Sequence, residues 1–101
     1  MNKRLIDYQE ELIESLRDPD EAREYLNAAL MDEDPRIFLL ALKNVLAARD
    51  GAMAAFAKKA QLNRENLYRM LSKKGNPKLT SIKSVLNALG LDLAVQLHES
   101  R

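Results

Sequence analysis

The sequence predicts an all-α protein that ends in one short strand, and three observations carry that expectation. Apolar residues recur at helical spacing through successive segments of the chain. The only three glycines and three prolines fall between or at the edges of those segments. After Gly90 the period changes from helical to alternating. A length of 101 residues supports one compact domain, or one domain with an arm.

Leu5, Tyr8, Leu12 and Leu16, with Ile13 beside them, mark a first helix between about Lys3 and Arg17. Asp18-Pro19-Asp20-Glu21 reads as the next helix start: Asp18 as N-cap, Pro19 at the first helical position, and Glu21 placed to close a capping box. Ala22, Tyr25, Leu26, Ala29 and Leu30 form the apolar face of this second helix. Asp34-Pro35 repeats the start signal, and Ile37, Phe38, Ala41, Leu42, Val45 and Leu46 give a broad stripe to about Arg49, the expected centre of the core. Asp50-Gly51 is expected to break that helix. A short helix follows over 52–60, with Phe56, Ala57 and Ala60 on one side. Gln61-Leu62-Asn63 is a tight connector, and Asn63 is the expected cap of a helix over 64–72 that buries Leu67, Met70 and Leu71. Residues 73–77 form a loop. Leu79, Ile82, Val85, Leu86 and Leu89 face inward on the last helix, which Gly90 ends with positive φ. Leu91, Leu93, Val95 and Leu97 then alternate with Asp92, Ala94, Gln96 and His98, which is a strand pattern in need of a pairing partner.

Composition excludes several functions. With no cysteine there is no disulfide framework, thiolate site or cysteine nucleophile, and one histidine rules out a multi-histidine metal site. No metal, no cofactor, no nucleophile–base set and no phosphate loop is expected, so an enzyme is not. No apolar run approaches the roughly 18 residues of a membrane span, and residues 1–10 lack a secretory apolar core, which predicts a soluble, cytoplasmic protein. The net charge of +1 hides a division. Residues 1–34 hold four basic and eleven acidic side chains, a net −7; residues 35–101 hold twelve and four, a net +8. Asymmetry of this kind points to two partners, one of them a nucleic acid, or else to two halves that neutralise each other within one fold.

The stretch from Met53 to Leu71 reads as two short helices joined by a three-residue turn. Ala57 sits where the helices cross, and Leu62 and Leu67 plug the turn onto the core. That is the pattern of a helix-turn-helix, whose second helix enters the DNA major groove. Its outward residues are Arg64, Glu65, Asn66, Tyr68 and Arg69. Arg suits guanine, Asn suits adenine, and Glu accepts from cytosine. Lys58, Lys59, Lys73, Lys74, Lys78 and Lys83 supply phosphate contacts around them, and residues 58–83 carry eight basic side chains against one acidic.

Residues 35–91 resemble a Cro-type (XRE-like) repressor domain. Almost the whole chain resembles the addiction-module antidote proteins, which are HigA-like antitoxins. The segments LRDPDEAREYLNAAL, DPRIFLLALKNV, LNRENLYRMLSKKGNPKL and VLNALGLDLAV carry this second resemblance. It implies a lambda-repressor-like, five-helix DNA-binding domain and a type II toxin–antitoxin module. The partners it implies are a RelE/ParE/HigB-type toxin and the operator DNA of the protein's own promoter. By position, Arg64, Glu65 and Arg69 fall where such repressors read bases, and Met53 stands where many have a phosphate-contacting Gln. Gln61 stands in place of the frequent turn Gly.

These readings divide the chain into an acidic N-terminal helical extension (1–34), a helix-turn-helix DNA-binding domain (35–90) and a C-terminal strand and tail (91–101). Tyr8 and Tyr25 are the expected apolar anchors for the toxin, steered by the acidic helices. A homodimer is expected from half-site reading, with Leu91, Leu93 and Val95 of the strand pairing across a two-fold axis. The competing readings are a stand-alone phage-type repressor and a helical protein–protein adaptor that binds no DNA.

Overall fold

Two Asp-Pro pairs set the frame. The computed structural model describes residues 3–59, 64–72 and 75–98. Among them are six helices: α1 (Lys3–Ser15), α2 (Pro19–Leu30), α3 (Pro35–Ala48), α4 (Asp50–Lys59), α5 (Arg64–Met70) and α6 (Leu79–Ala88). The Asp18 carboxylate accepts the Asp20 N–H at 2.9 Å, and the Asp34 carboxylate accepts the Arg36 N–H at 2.9 Å. Each satisfies an orphan donor of a helix that opens with proline. The capping box expected from Glu21 does not form. The Asp18 N–H is already donated to the Ser15 carbonyl at 3.2 Å, so Glu21 has no donor to reach back for.

The central helix is α3. Leu42, Val45 and Leu46 on it are fully buried. α1 and α2 pack on one part of α3 and α4 on another, while α4 also packs against α5 and α6. One core joins α2, α3, α5 and α6, with Leu12 of α1 packed against it, from Leu16, Ala22 and Leu26 through Phe38 and Leu42 to Leu67, Val85 and Leu86. Full burial of a Leu, Val or Phe side chain stabilises the fold by about 1.5–3 kcal/mol. α2 and α1 are also tied to α3 by polar contacts: Asn44 donates to the Tyr25 hydroxyl at 2.8 Å, and its amide oxygen accepts from Gln9 at 3.4 Å.

Several expectations are corrected. The break after α3 falls at Arg49 (φ −117°, ψ 56°), so Asp50 and Gly51 belong to the first turn of α4. Leu79 is 66% exposed rather than inward, because it opens α6 one turn ahead of buried Ile82 and overhangs the core. Leu30 closes α2 half-exposed for the same reason. The side chains of Phe56 and Ala60, and the connector 61–63, lie outside the described residues.

α6 ends as its sequence dictates. Gly90 has φ +80°, its N–H donates to the Asn87 carbonyl at 3.0 Å, and the Leu91 N–H donates to the Leu86 carbonyl at 2.8 Å. This is a Schellman turn, with Leu91 packed back against the core. Beyond it, residues 92–98 are not a strand. The alternating pattern is present, but every other described segment is a helix or a short connector, so nothing among the described residues offers an edge to pair with.

Candidate nucleic-acid interface

α5 is rooted on one side and open on the other. Leu67 and Leu71 are buried, and Met70 is half-buried against the core. Ala57 of α4 is buried, and α4 packs against both α5 and α6. Glu65, Asn66 and Arg69 stand exposed on the opposite side of α5. Arg69 Nη2 lies 3.6 Å from Glu65 Oε1, one helical turn away and in solvent. Such a pair contributes about 0.3–0.5 kcal/mol and separates readily when a better partner arrives.

The end of α5 is fixed by backbone. Ser72 Oγ donates to the Arg69 carbonyl at 2.8 Å, and the Gly75 N–H donates to the Ser72 carbonyl at 2.9 Å. Gly75 passes so close to the Met70 carbonyl that a Cβ there would collide with it. Asn66, Arg69, Met70, Ser72 and Gly75 line a shallow concavity of about 550 Å³ beside the helix. Lys58 on α4, Lys83 on α6 and Lys78 before α6 are exposed.

Of the residues expected to read bases, Glu65, Asn66 and Arg69 are therefore brought together on one face. Tyr68 is not on that face; its ring packs half-buried against the core, since it lies three positions before buried Leu71 and shares that side of the helix. Arg64 opens α5, and Met53 and Lys59 lie within α4, but their side chains lie outside the described residues. Lys73 and Lys74 lie outside them altogether.

The two expected tyrosine anchors are in different settings. Tyr8 is 69% exposed on α1, whereas Tyr25 is half-buried, with its hydroxyl held by Asn44. Around Tyr8, the carboxylates Asp7, Glu10, Glu11 and Glu14 are exposed, as are Asp20, Glu21 and Glu24 on α2. Arg17 pairs with Glu14, and Arg23 with Asp20 and Glu24, all in solvent. In the tail, Leu91 is half-buried while Leu93, Val95 and Leu97 are exposed. Asn44 and Gly75 are two further residues that position these elements. Asn44 was visible as the polar residue beside the α3 stripe, while nothing in the local sequence distinguishes Gly75 from an ordinary loop glycine.

The Asp34 carboxylate also grips the Arg36 guanidinium at 2.7–3.1 Å, and this hydrogen-bonded charge pair raises the Arg36 pKa above its ordinary value. Among the described residues no cluster of His, Cys, Asp or Glu could hold a metal ion, and no helix is long and apolar enough to cross a membrane.

Comparison with known proteins adds a family. The family model described as "Probable addiction module antidote protein" matches residues 8–97. An uncharacterized protein of Haemophilus influenzae is 34% identical over 96 residues, which covers 95% of each chain. No solved structure matches.

Proposed function

The chain belongs to the family of probable addiction module antidote proteins, and from that membership we propose that it is a DNA-binding antitoxin of a type II module. It neutralises a small RelE/ParE/HigB-type toxin and represses its own promoter. Membership of an antidote family implies a cognate toxin and a binding protein rather than an enzyme; DNA reading is the further step. The observation that carries it is the division of α5 into a buried root, Leu67 and Leu71, and an exposed set, Glu65, Asn66 and Arg69. In the major groove Arg69 exchanges Glu65 for a guanine edge, and Asn66 takes adenine. Arg64 reads bases with them from the start of α5, and Lys58, Lys78 and Lys83, joined by Lys59, Lys73 and Lys74 from the sequence pattern, contact backbone phosphates beside Met53, which stands at the position of the phosphate-contacting Gln. The chain acts as a cytoplasmic homodimer, one α5 per half-site.

The acidic helices α1 and α2 face the toxin. Their exposed carboxylates speed encounter with a basic surface, and Tyr8 is the exposed apolar anchor. Tyr25 supports that face from inside through Asn44.

The test is a mobility shift on the promoter fragment upstream of the gene. Wild-type protein gives a discrete complex, and Arg69→Ala or Asn66→Ala loses it while keeping diffuse, salt-sensitive binding. Absence of any wild-type complex overturns DNA reading and favours the protein–protein adaptor. Failure of the neighbouring gene product to bind in co-expression favours the stand-alone repressor.

A further inference from the structure

The tail after Gly90 carries its own pairing code. Leu91 is committed to the body, since its N–H is donated to Leu86 and its side chain is packed on the core. Among the described residues no backbone hydrogen bond ties 92–98 to the rest of the chain. Val95 is 100% exposed and Leu97 is 93% exposed. In an antiparallel pair, directly opposed residues share a face. A two-fold axis passing between residues would oppose the odd, apolar positions to the even, polar ones. The axis must therefore pass through a residue.

Three residues near the middle can lie on that axis. Through Ala94, only 92–96 would pair and exposed Leu97 would be left over, because its partner Leu91 and the next residue Gly90 have their N–H groups already used by the Schellman turn. Through Gln96, Leu93 would face Glu99, an apolar side chain against a charge. Through Val95, the whole stretch 92–98 pairs with itself and nothing else is required. Val95 then meets its own copy, and Leu93 meets Leu97 of the second copy. On the other face Asp92 meets His98 of the second copy, so the charges suit each other wherever the imidazole is protonated.

A bare two-stranded ribbon is marginal in water and needs a backing. The body supplies one: Leu93 already lines a groove with Leu26, Leu30, Phe38, Leu86 and Leu91. We infer that the tail is the dimer seam, with residues 92–98 of two copies joined as an antiparallel ribbon centred on Val95. The inference deepens the reading of the protein as a two-fold DNA binder and rests on it for the number of copies.

Because the chain contains no cysteine, single-cysteine variants report the register directly. Under mild oxidation of the purified full chain, Val95→Cys should form a covalent dimer on the order of tenfold faster than Leu93→Cys, Leu97→Cys or the exposed control Glu10→Cys, since only the axial position brings like Cβ atoms within bridging distance. Mixing the Leu93→Cys and Leu97→Cys proteins should give a crosslinked heterodimer. Faster crosslinking at Ala94→Cys or Gln96→Cys, or no preference over Glu10→Cys, overturns the seam. Val95→Pro should turn the sedimentation equilibrium from dimer to monomer, and an unchanged dimer overturns it equally. Val95 touches no core, so neither variant disturbs folding. These measurements use neither DNA nor toxin. A promoter complex without the Val95 crosslink refutes the seam alone, and the crosslink without a promoter complex refutes DNA reading alone.

Discussion

Asn44 does more for the fold than its place beside an apolar stripe suggests. One side chain donates to Tyr25 on α2 and accepts from Gln9 on α1, so three helices meet at a single amide. Asn44→Ala is expected to cost about 1–2 kcal/mol, read as a lower urea midpoint, because the Tyr25 hydroxyl loses its partner in a half-buried place. Two glycines behave in opposite ways. Gly90 holds φ +80°, and Gly90→Ala should destabilise by about 1–2 kcal/mol through the left-handed conformation alone. Gly51 sits inside α4, and a Cβ added there meets nothing within 4 Å. Gly51→Ala should therefore stabilise by about 0.5–1 kcal/mol, seen as a raised midpoint in the same titration.

At the scale of elements, α5 is the test of function and α3 the test of stability. In the proposed DNA complex, Arg69→Ala should cost about 1–3 kcal/mol on the operator and relax preference at one base pair. Lys83→Ala should weaken operator and random DNA alike and lower the salt slope by about one. Competition titrations at several salt concentrations separate the two. Leu42→Ala should destabilise by about 2–5 kcal/mol, since Leu42 is wholly enclosed. The helices themselves were legible because Leu12 and Leu16, Leu26 and Ala29, and Leu42 and Val45 keep helical spacing toward one core. Their ends were less so. Spacing makes Glu21 a capping partner, but the Asp18 N–H is donated to the Ser15 carbonyl, which spacing does not reveal. Glycine is a poor helix former, so the sequence places the break at Asp50-Gly51, yet the chain turns just before it, at Arg49. Tyr68 is expected among the outward residues of the second helix, whereas its ring packs half-buried against the core. The outward trio of α5 followed from periodicity alone; Gly75 at its end did not, since a close approach between backbones leaves no periodic trace.

For the molecule as a whole, the net −7 and +8 halves are not separate bodies. α1 and α2, which carry the acidic surface, share the core of α3 with the helices that carry the basic one. Reversing charge on α1, as in Glu10→Lys with Glu14→Lys, should slow association with the proposed toxin and flatten its salt dependence, leaving the urea midpoint nearly unchanged. Stopped-flow association with the neighbouring gene product measures the first, and an unaltered rate would return these carboxylates to a purely solvated role. The order of packing has a consequence in time. α2 meets α3, α3 meets α4 and α4 meets α5, so most of the core joins elements that are neighbours along the chain. Chains assembled from such short loops close them at little entropic cost and fold in microseconds to milliseconds. A refolding trace of the single chain should accordingly be one fast exponential, with any slower, concentration-dependent phase belonging to the meeting of two copies.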